Sequence, residues 1–254
     1  MWSPDGRLLA FSEIIGVGPG ATSRFRIAQA WGGLLGRPVD GYAPAWSPDG
    51  KRIVFVRGKG LGVLDVRTRR VWRIPLGRPP TTYVGSPDWS PDGRRLAVTT
   101  GGNRVSVVSA KGGGLRLLGL GRGPRWSPDG RTIAAACLYS MRAAFLAPDG
   151  EGQGCSGGAI HAQAHRPEWS RDGRQVGFSA CWDPGGGCGV ALQERNSTTP
   201  RRIASGVYPS WAPDGRRLVF SSARDGAVLY VINVDGTRLR RLLRRSPSAT
   251  SLPG

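Results

Sequence analysis

One pentapeptide constrains this chain more than anything else in it: Trp46-Ser47-Pro48-Asp49-Gly50 is written six times. It recurs at 2–6, 89–93 and 126–130, as Trp169-Ser170-Arg171-Asp172-Gly173, and as Trp211-Ala212-Pro213-Asp214-Gly215. The tryptophans at 2, 46, 89, 126, 169 and 211 lie 37 to 44 residues apart, a period that signals a propeller or solenoid.

The residue types explain why they travel together. Proline presets φ, aspartate bonds nearby backbone amides, and glycine accepts the positive φ that ends a tight reversal, so Ser-Pro-Asp-Gly reads as a hairpin turn. A strand-like run follows each copy, cleanest in Ile53-Val54-Phe55-Val56 and Leu218-Val219-Phe220. A proline precedes the tryptophan by two residues at Pro44, Pro87, Pro124, Pro167 and Pro209. Proline cannot donate to a ladder, so it is expected to mark a strand start. The tryptophan, a large apolar side chain at one place per unit, suits burial between neighbouring sheets, and Trp2, Trp46, Trp89, Trp126, Trp169 and Trp211 are assigned that role. Asp5, Asp49, Asp92, Asp129, Asp172 and Asp214 are assigned to the turns.

In the second repeat three strand runs follow the turn (53–56, 61–66 and 70–74) and one precedes it, the composition of a propeller blade. The expected fold is all-β: one domain over 1–254, a six-bladed β-propeller with four antiparallel strands per blade. Only Met1 precedes the first tryptophan, whereas joining the ends would place 45 residues between Trp211 and Trp2. Residues 244–254 are therefore expected to supply a closing strand or to form a tail, and overlap of the two termini would leave no long exposed edge.

The net charge is +19, from 36 Lys and Arg against 17 Asp and Glu. Much of it follows the turns as Gly-Arg pairs distributed over the repeats, and no recognition motif accompanies it, so nucleic acid is not expected as a partner. No stretch approaches the roughly 20 apolar residues of a membrane span, and the opening directly on the first turn is read as a start without a signal peptide, a truncated start being the alternative. Cys181 and Cys188 sit on either side of a short loop and are expected to pair across a hairpin; closing it contributes about 2.5 kcal/mol in the chain-entropy estimate. Cys137 and Cys155 could pair similarly. Paired cysteines point to an oxidising compartment, free thiols being the alternative.

Pro-x-Trp-Ser-Pro-Asp-Gly-(Lys/Arg)-x-(Leu/Ile)-(Ala/Val)-Phe resembles the WD40-like Pro-Asp repeat of the TolB propeller family. The Trp-Asp signature of true WD40 repeats is missing late in each unit, and the lone Trp182-Asp183 is assigned to a loop. The resemblance implies a six-bladed, extracytoplasmic bacterial propeller that acts through protein contacts. That family's namesake also carries a smaller domain ahead of the propeller, to which nothing here corresponds.

Similar propellers gate prolyl oligopeptidase-type peptidases, so catalysis is the competing reading, either in such an enzyme or in a channel-site lyase or hydrolase. Gly154-Cys155-Ser156-Gly157-Gly158 fits a nucleophile elbow, yet no helix pattern follows, and His161 and His165 precede any downstream acid. Those histidines lack a third ligand and are assigned to a solvent-facing connection. Asn196-Ser197-Thr198 matches a glycosylation acceptor without further support. With the turns absorbing most carboxylates, no acid-base pair stands out, and a single carboxylate per unit is not a calcium site.

What remains is a surface. Loops entering the first strands and those joining second to third strands should converge on one face, with Tyr42, Tyr83, Arg122, His161, His165 and Tyr208 there and Arg57, Arg142, Trp182 and Arg224 further out. Tyr, Trp and Arg are enriched at binding hot spots. The expected function is a non-catalytic scaffold, monomeric and without cofactor or metal, whose partner is a protein or peptide of acidic character.

Overall fold

The computed structural model describes residues 1–16, 22–76, 84–137, 140–150, 152–155, 163–182, 187–222 and 228–242. Within them every regular element is a strand, and six antiparallel sheets each take consecutive strands. The first holds β1 (Leu8–Ile15), β2 (Thr22–Gln29) and β3 (Val39–Asp40). The second holds β4 (Tyr42–Trp46), β5 (Arg52–Arg57), β6 (Gly60–Asp65) and β7 (Val71–Ile74). The third runs from β8 (Val84–Trp89) through β9 (Arg95–Thr100) and β10 (Arg104–Ser109) to β11 (Arg116–Leu120). β12 (Arg122–Trp126), β13 (Ile133–Ala136), β14 (Ala143–Leu146) and β15 (Gly152–Gln153) make the fourth. β16 (Gln163–Trp169), β17 (Gln175–Trp182), β18 (Gly187–Glu194) and β19 (Arg201–Ser205) make the fifth. The sixth is β20 (Val207–Trp211), β21 (Arg217–Ser222), β22 (Val228–Asn233) and β23 (Arg240–Arg241). The first sheet departs from the expected four strands: Trp2 reaches it only as an isolated bridge to Leu9.

The turn works as its residues suggest. Ser47 Oγ donates to Asp49 Oδ1 at 2.5 Å and accepts from Arg52 N at 2.9 Å, while Asp49 Oδ1 also takes Lys51 N at 3.0 Å. The serine-aspartate bond recurs at 2.5–2.6 Å in Ser3, Ser90, Ser127 and Ser170. In the sixth copy Ala212 has no hydroxyl; Asp214 keeps the backbone bond, from Arg216 N, and takes the Arg217 side chain in place of a serine.

Five apolar clusters each join two sheets that are consecutive in the chain. Period-two alternation divides β5 between two of them: Ile53 and Phe55 pack towards the first sheet, Val54 and Val56 towards the third. A strand buried on both faces reads as a continuous apolar run, which is why 53–56 shows no alternation in sequence.

The tryptophans also staple the sheets. The indole N–H of Trp46 donates to Met1 O (3.1 Å), that of Trp89 to Ala45 O (3.2 Å), that of Trp169 to Arg125 O (3.0 Å) and that of Trp211 to Glu168 O (2.9 Å). Each acceptor sits immediately before the preceding repeat's tryptophan, so one residue type supplies both core area and a fixed register. Trp46, Trp89 and Trp126 are buried, whereas Trp169 and Trp211 are half-buried and Trp2 is 54% exposed, with no sheet covering it among the described residues.

The prolines do not mark strand starts. Pro44 lies inside β4, two residues after its beginning, at a register shift between Tyr42 and Ala45, and Pro87, Pro124, Pro167 and Pro209 occupy the same place in β8, β12, β16 and β20. The residue before the proline has a left-handed φ in Ala43 (52°), Ser86 (47°), Gly123 (57°) and Tyr208 (56°). Such a bulge leaves one residue out of the ladder, so a missing N–H costs nothing there.

Candidate interaction rim

Antiparallel pairing puts the start of each inner strand beside the hairpin that joins the second and third strands. Tyr42 pairs with Val56, next to the Arg57–Gly60 turn; Arg122 pairs with Ala136; His165 pairs with Ser179, close to the end of β17. The bulge in the sixth sheet turns a side chain away from the ladder. Tyr208, held there at positive φ, is 72% exposed.

Three hydroxyls fix this end. Ser12 Oγ accepts Ala43 N at 3.3 Å, Thr99 Oγ1 accepts Gly123 N at 3.0 Å, and Ser179 Oγ accepts Tyr208 N at 2.7 Å. Each hydroxyl lies ten residues after its own tryptophan, in the first, third and fifth repeats. That spacing is visible in the sequence, but the bulge it serves is not. Arg122 is exposed and its Nε donates to Asn103 Oδ1, in the turn between β9 and β10.

Of the residues expected on this face, Tyr42 is half-buried and Arg57, Arg122 and Tyr208 are exposed. His165 is a strand residue of β16 rather than part of a connecting loop, and Trp182 ends β17, paired with Gly187, rather than lying in a loop. In both cases the hairpin ladder continues further than the apolar pattern does. Tyr83, His161 and Arg224 lie outside the described residues, as do Ser156 of the elbow-like motif and the tail 244–254.

Both disulfides form: Cys181–Cys188 across the β17–β18 hairpin at a Cα separation of 4.0 Å, and Cys137–Cys155 at 5.4 Å. The first braces the rim next to Trp182. Deeper in, Arg125 donates to Asp88 at 2.8 Å and Trp126 N donates to the other Asp88 oxygen at 2.8 Å, so this carboxylate joins two inner strands instead of facing a ligand. Among the described residues no three of His, Cys, Asp and Glu gather into a metal-binding group. Among the described residues no helix is long and apolar enough to cross a membrane.

No family model matches the chain. Solved structures do resemble it. TolB from Acinetobacter baumannii superposes with a TM-score of 0.63 at 19% identity over 89% of this chain, which spans 61% of that protein's length. A putative TolB from Agrobacterium tumefaciens gives 0.62 at 19% identity, covering 94% of this chain and 90% of its own. An oligogalacturonate lyase in complex with manganese gives 0.68 at 14% identity over 99% of this chain and 77% of its own. At these identities the likeness is one of fold alone, and the fold it shows is a TolB-like β-propeller.

Proposed function

We propose that this chain is a non-catalytic protein-interaction scaffold of the TolB-like type, working in the bacterial cell envelope, with six blades closed into a single domain. The rim supports this reading: a bulge pinned by Ser179 holds Tyr208 out into solvent, and Arg57 and Arg122 are exposed at the corresponding ends of their own sheets, residue types suited to a peptide or protein with acidic groups. The two disulfides suit an oxidising compartment.

Closure is supported by the repeat itself. Arg52 stacks over Trp89 at 5.0 Å and Arg95 over Trp126 at 4.8 Å, each from the sixth position after its own tryptophan. Arg217 holds that position in the last repeat and would cover Trp2, whose indole would find the carbonyl of Ser210. Exposed Leu229, Leu239 and Leu242 on the sixth sheet and Met1 and Trp2 on the first would be buried in such a seam.

The test is capture. Immobilised protein should retain a specific envelope protein that a Tyr208→Ala, Arg122→Ala double variant of unchanged circular dichroism does not. Equal capture by both would remove the rim from the account. The likeness to oligogalacturonate lyase favours a second reading, an enzyme acting on acidic oligosaccharide. Formation of unsaturated product from oligogalacturonate with manganese would establish that reading and displace the scaffold.

A further inference from the structure

At the opposite end of the second sheet from the rim, a cavity of about 860 Å³ opens beside the turn between β6 and β7, within the size range of small-molecule sites. Leu35 and Val66 give it an apolar wall, and Lys51, Arg67 and Arg69 bring three cations to its lining against the single carboxylate of Asp65.

Arg69 is placed there with care. Its backbone has a left-handed φ of 62°, which a non-glycine residue holds only when its surroundings over-determine it. Asp65 does this: its carboxylate takes Thr68 N at 2.7 Å and Thr68 Oγ1 at 2.8 Å, and its carbonyl takes Arg69 N at 2.9 Å. The guanidinium then lies flat on Gly36, where a Cβ would sit 3.1 Å from Nε and 3.3 Å from Cζ, and Nη2 donates to Arg37 O. Nη1 is enclosed with no acceptor, so the guanidinium is a fixed cation whose charge no carboxylate among the described residues pairs. Burial also presses the Arg69 pKa downward, as it does for a cation short of counter-charge.

Charge is less even than the recurring Gly-Arg pairs suggest: residues 46–88 and 89–125 each carry a net +6, whereas 126–168 carry a net −1. Most of the cavity's lining comes from the first of these segments.

We propose that this cavity binds a small molecule bearing an oxyanion, carboxylate or phosphate, on an apolar body. Arg69 draws the anion as a fixed positive charge, Lys51 and Arg67 add charge from the exposed side, and Leu35 and Val66 pack the remainder. The site is separate from the rim and does not depend on it.

Phenyl phosphate and benzoate are the probes, titrated calorimetrically into the whole protein at low ionic strength. At least one should bind saturably at one site, with affinity falling as salt rises; whichever binds better says whether phosphate or carboxylate is the natural head group. Arg69→Gln should weaken binding at least tenfold. Lys51→Glu, at an exposed position that carries no fold risk, should do the same, while Arg238→Gln on the sixth repeat leaves affinity unchanged. Failure of both probes to bind, or equal loss in Arg238→Gln and Lys51→Glu, would overturn the proposal as nonspecific attraction to a basic surface.

Discussion

Replacing Trp89 and Trp126 separately by phenylalanine should give unequal losses, although the two are equivalent in the repeat. They are matched in burial, 5% and 6% exposed, and each lies under an arginine at nearly the same height. The apolar trimming and the weakened cation–π contact therefore cancel in the comparison. What differs is the indole N–H. Trp89 donates to Ala45 O, and a typical bond of that kind contributes about 1 kcal/mol net. Trp126 Nε1 is buried with no acceptor, and an unsatisfied buried donor costs about 1–3 kcal/mol, which phenylalanine relieves. Trp89→Phe should thus be the less stable variant by at least about 2 kcal/mol, roughly thirtyfold or more in the unfolding constant. Urea unfolding followed by far-ultraviolet circular dichroism, with unchanged m-values, measures this directly. Equal destabilisation, or a greater loss at Trp126, would refute the hydrogen-bond account of the staples.

Arg195 offers a second test, because it fills a gap in the pattern: the fourth repeat has Thr132 where earlier ones have Arg52 and Arg95, and Arg195 instead binds Asp129 (2.7 Å) and Thr132 Oγ1 and lies 5.8 Å over Trp169. Arg195→Met should cost about 1 kcal/mol in chemical denaturation, and adding Thr132→Arg should recover part of it; no recovery would contradict the equivalence of the two positions. The turn aspartates set the acid limit. Serine hydroxyls hold Asp92 and Asp172 below the usual carboxylate range, and for Asp129 burial works the other way but is outweighed by Arg195, Ser127 and the Arg131 N–H. Folded pKa values below the unfolded ones stabilise above about pH 4 and lose that contribution as pH falls through the folded values, so the thermal midpoint should be flat near neutrality and drop below about pH 4. Asp129→Asn should make that drop shallower, and an unchanged acid profile would contradict the assignment. Reduction should remove about 3 kcal/mol for Cys137–Cys155, which spans 18 residues, and somewhat less for the 7-residue Cys181–Cys188 span, read as a fall in denaturation midpoint that Cys-to-Ser variants no longer show.

What the sequence made legible was whatever repeats as identity. Trp-Ser-Pro-Asp-Gly specified the turn, the strand after it and the burial of Trp46, Trp89 and Trp126. The Cys181–Cys188 pairing was the preferred reading of two cysteines on either side of a short loop, with free thiols as the alternative. Geometry without a fixed residue stayed hidden. The left-handed position before four of the five prolines is filled by Ala43, Ser86, Gly123 and Tyr208, so no residue type announces it, and the proline alone pointed to a strand start. Arg195 was invisible because its partners, Asp129 and Thr132, are more than 60 residues away and meet it only when the fourth and fifth sheets pack. The Arg69 cavity was equally hidden, since Gly36 and Arg37 come to it from another repeat.

The central claim is that the six repeats close into a ring, with Trp2 stapled to the sixth sheet as Trp46 is to the first. Solvent exchange of the indole N–H protons, resolved by nuclear magnetic resonance of the nine tryptophans, tests it most directly. A closed ring predicts that Trp2 exchanges as slowly as Trp46 and Trp89, whereas exchange as fast as that of Trp31, which is 75% exposed, would contradict it.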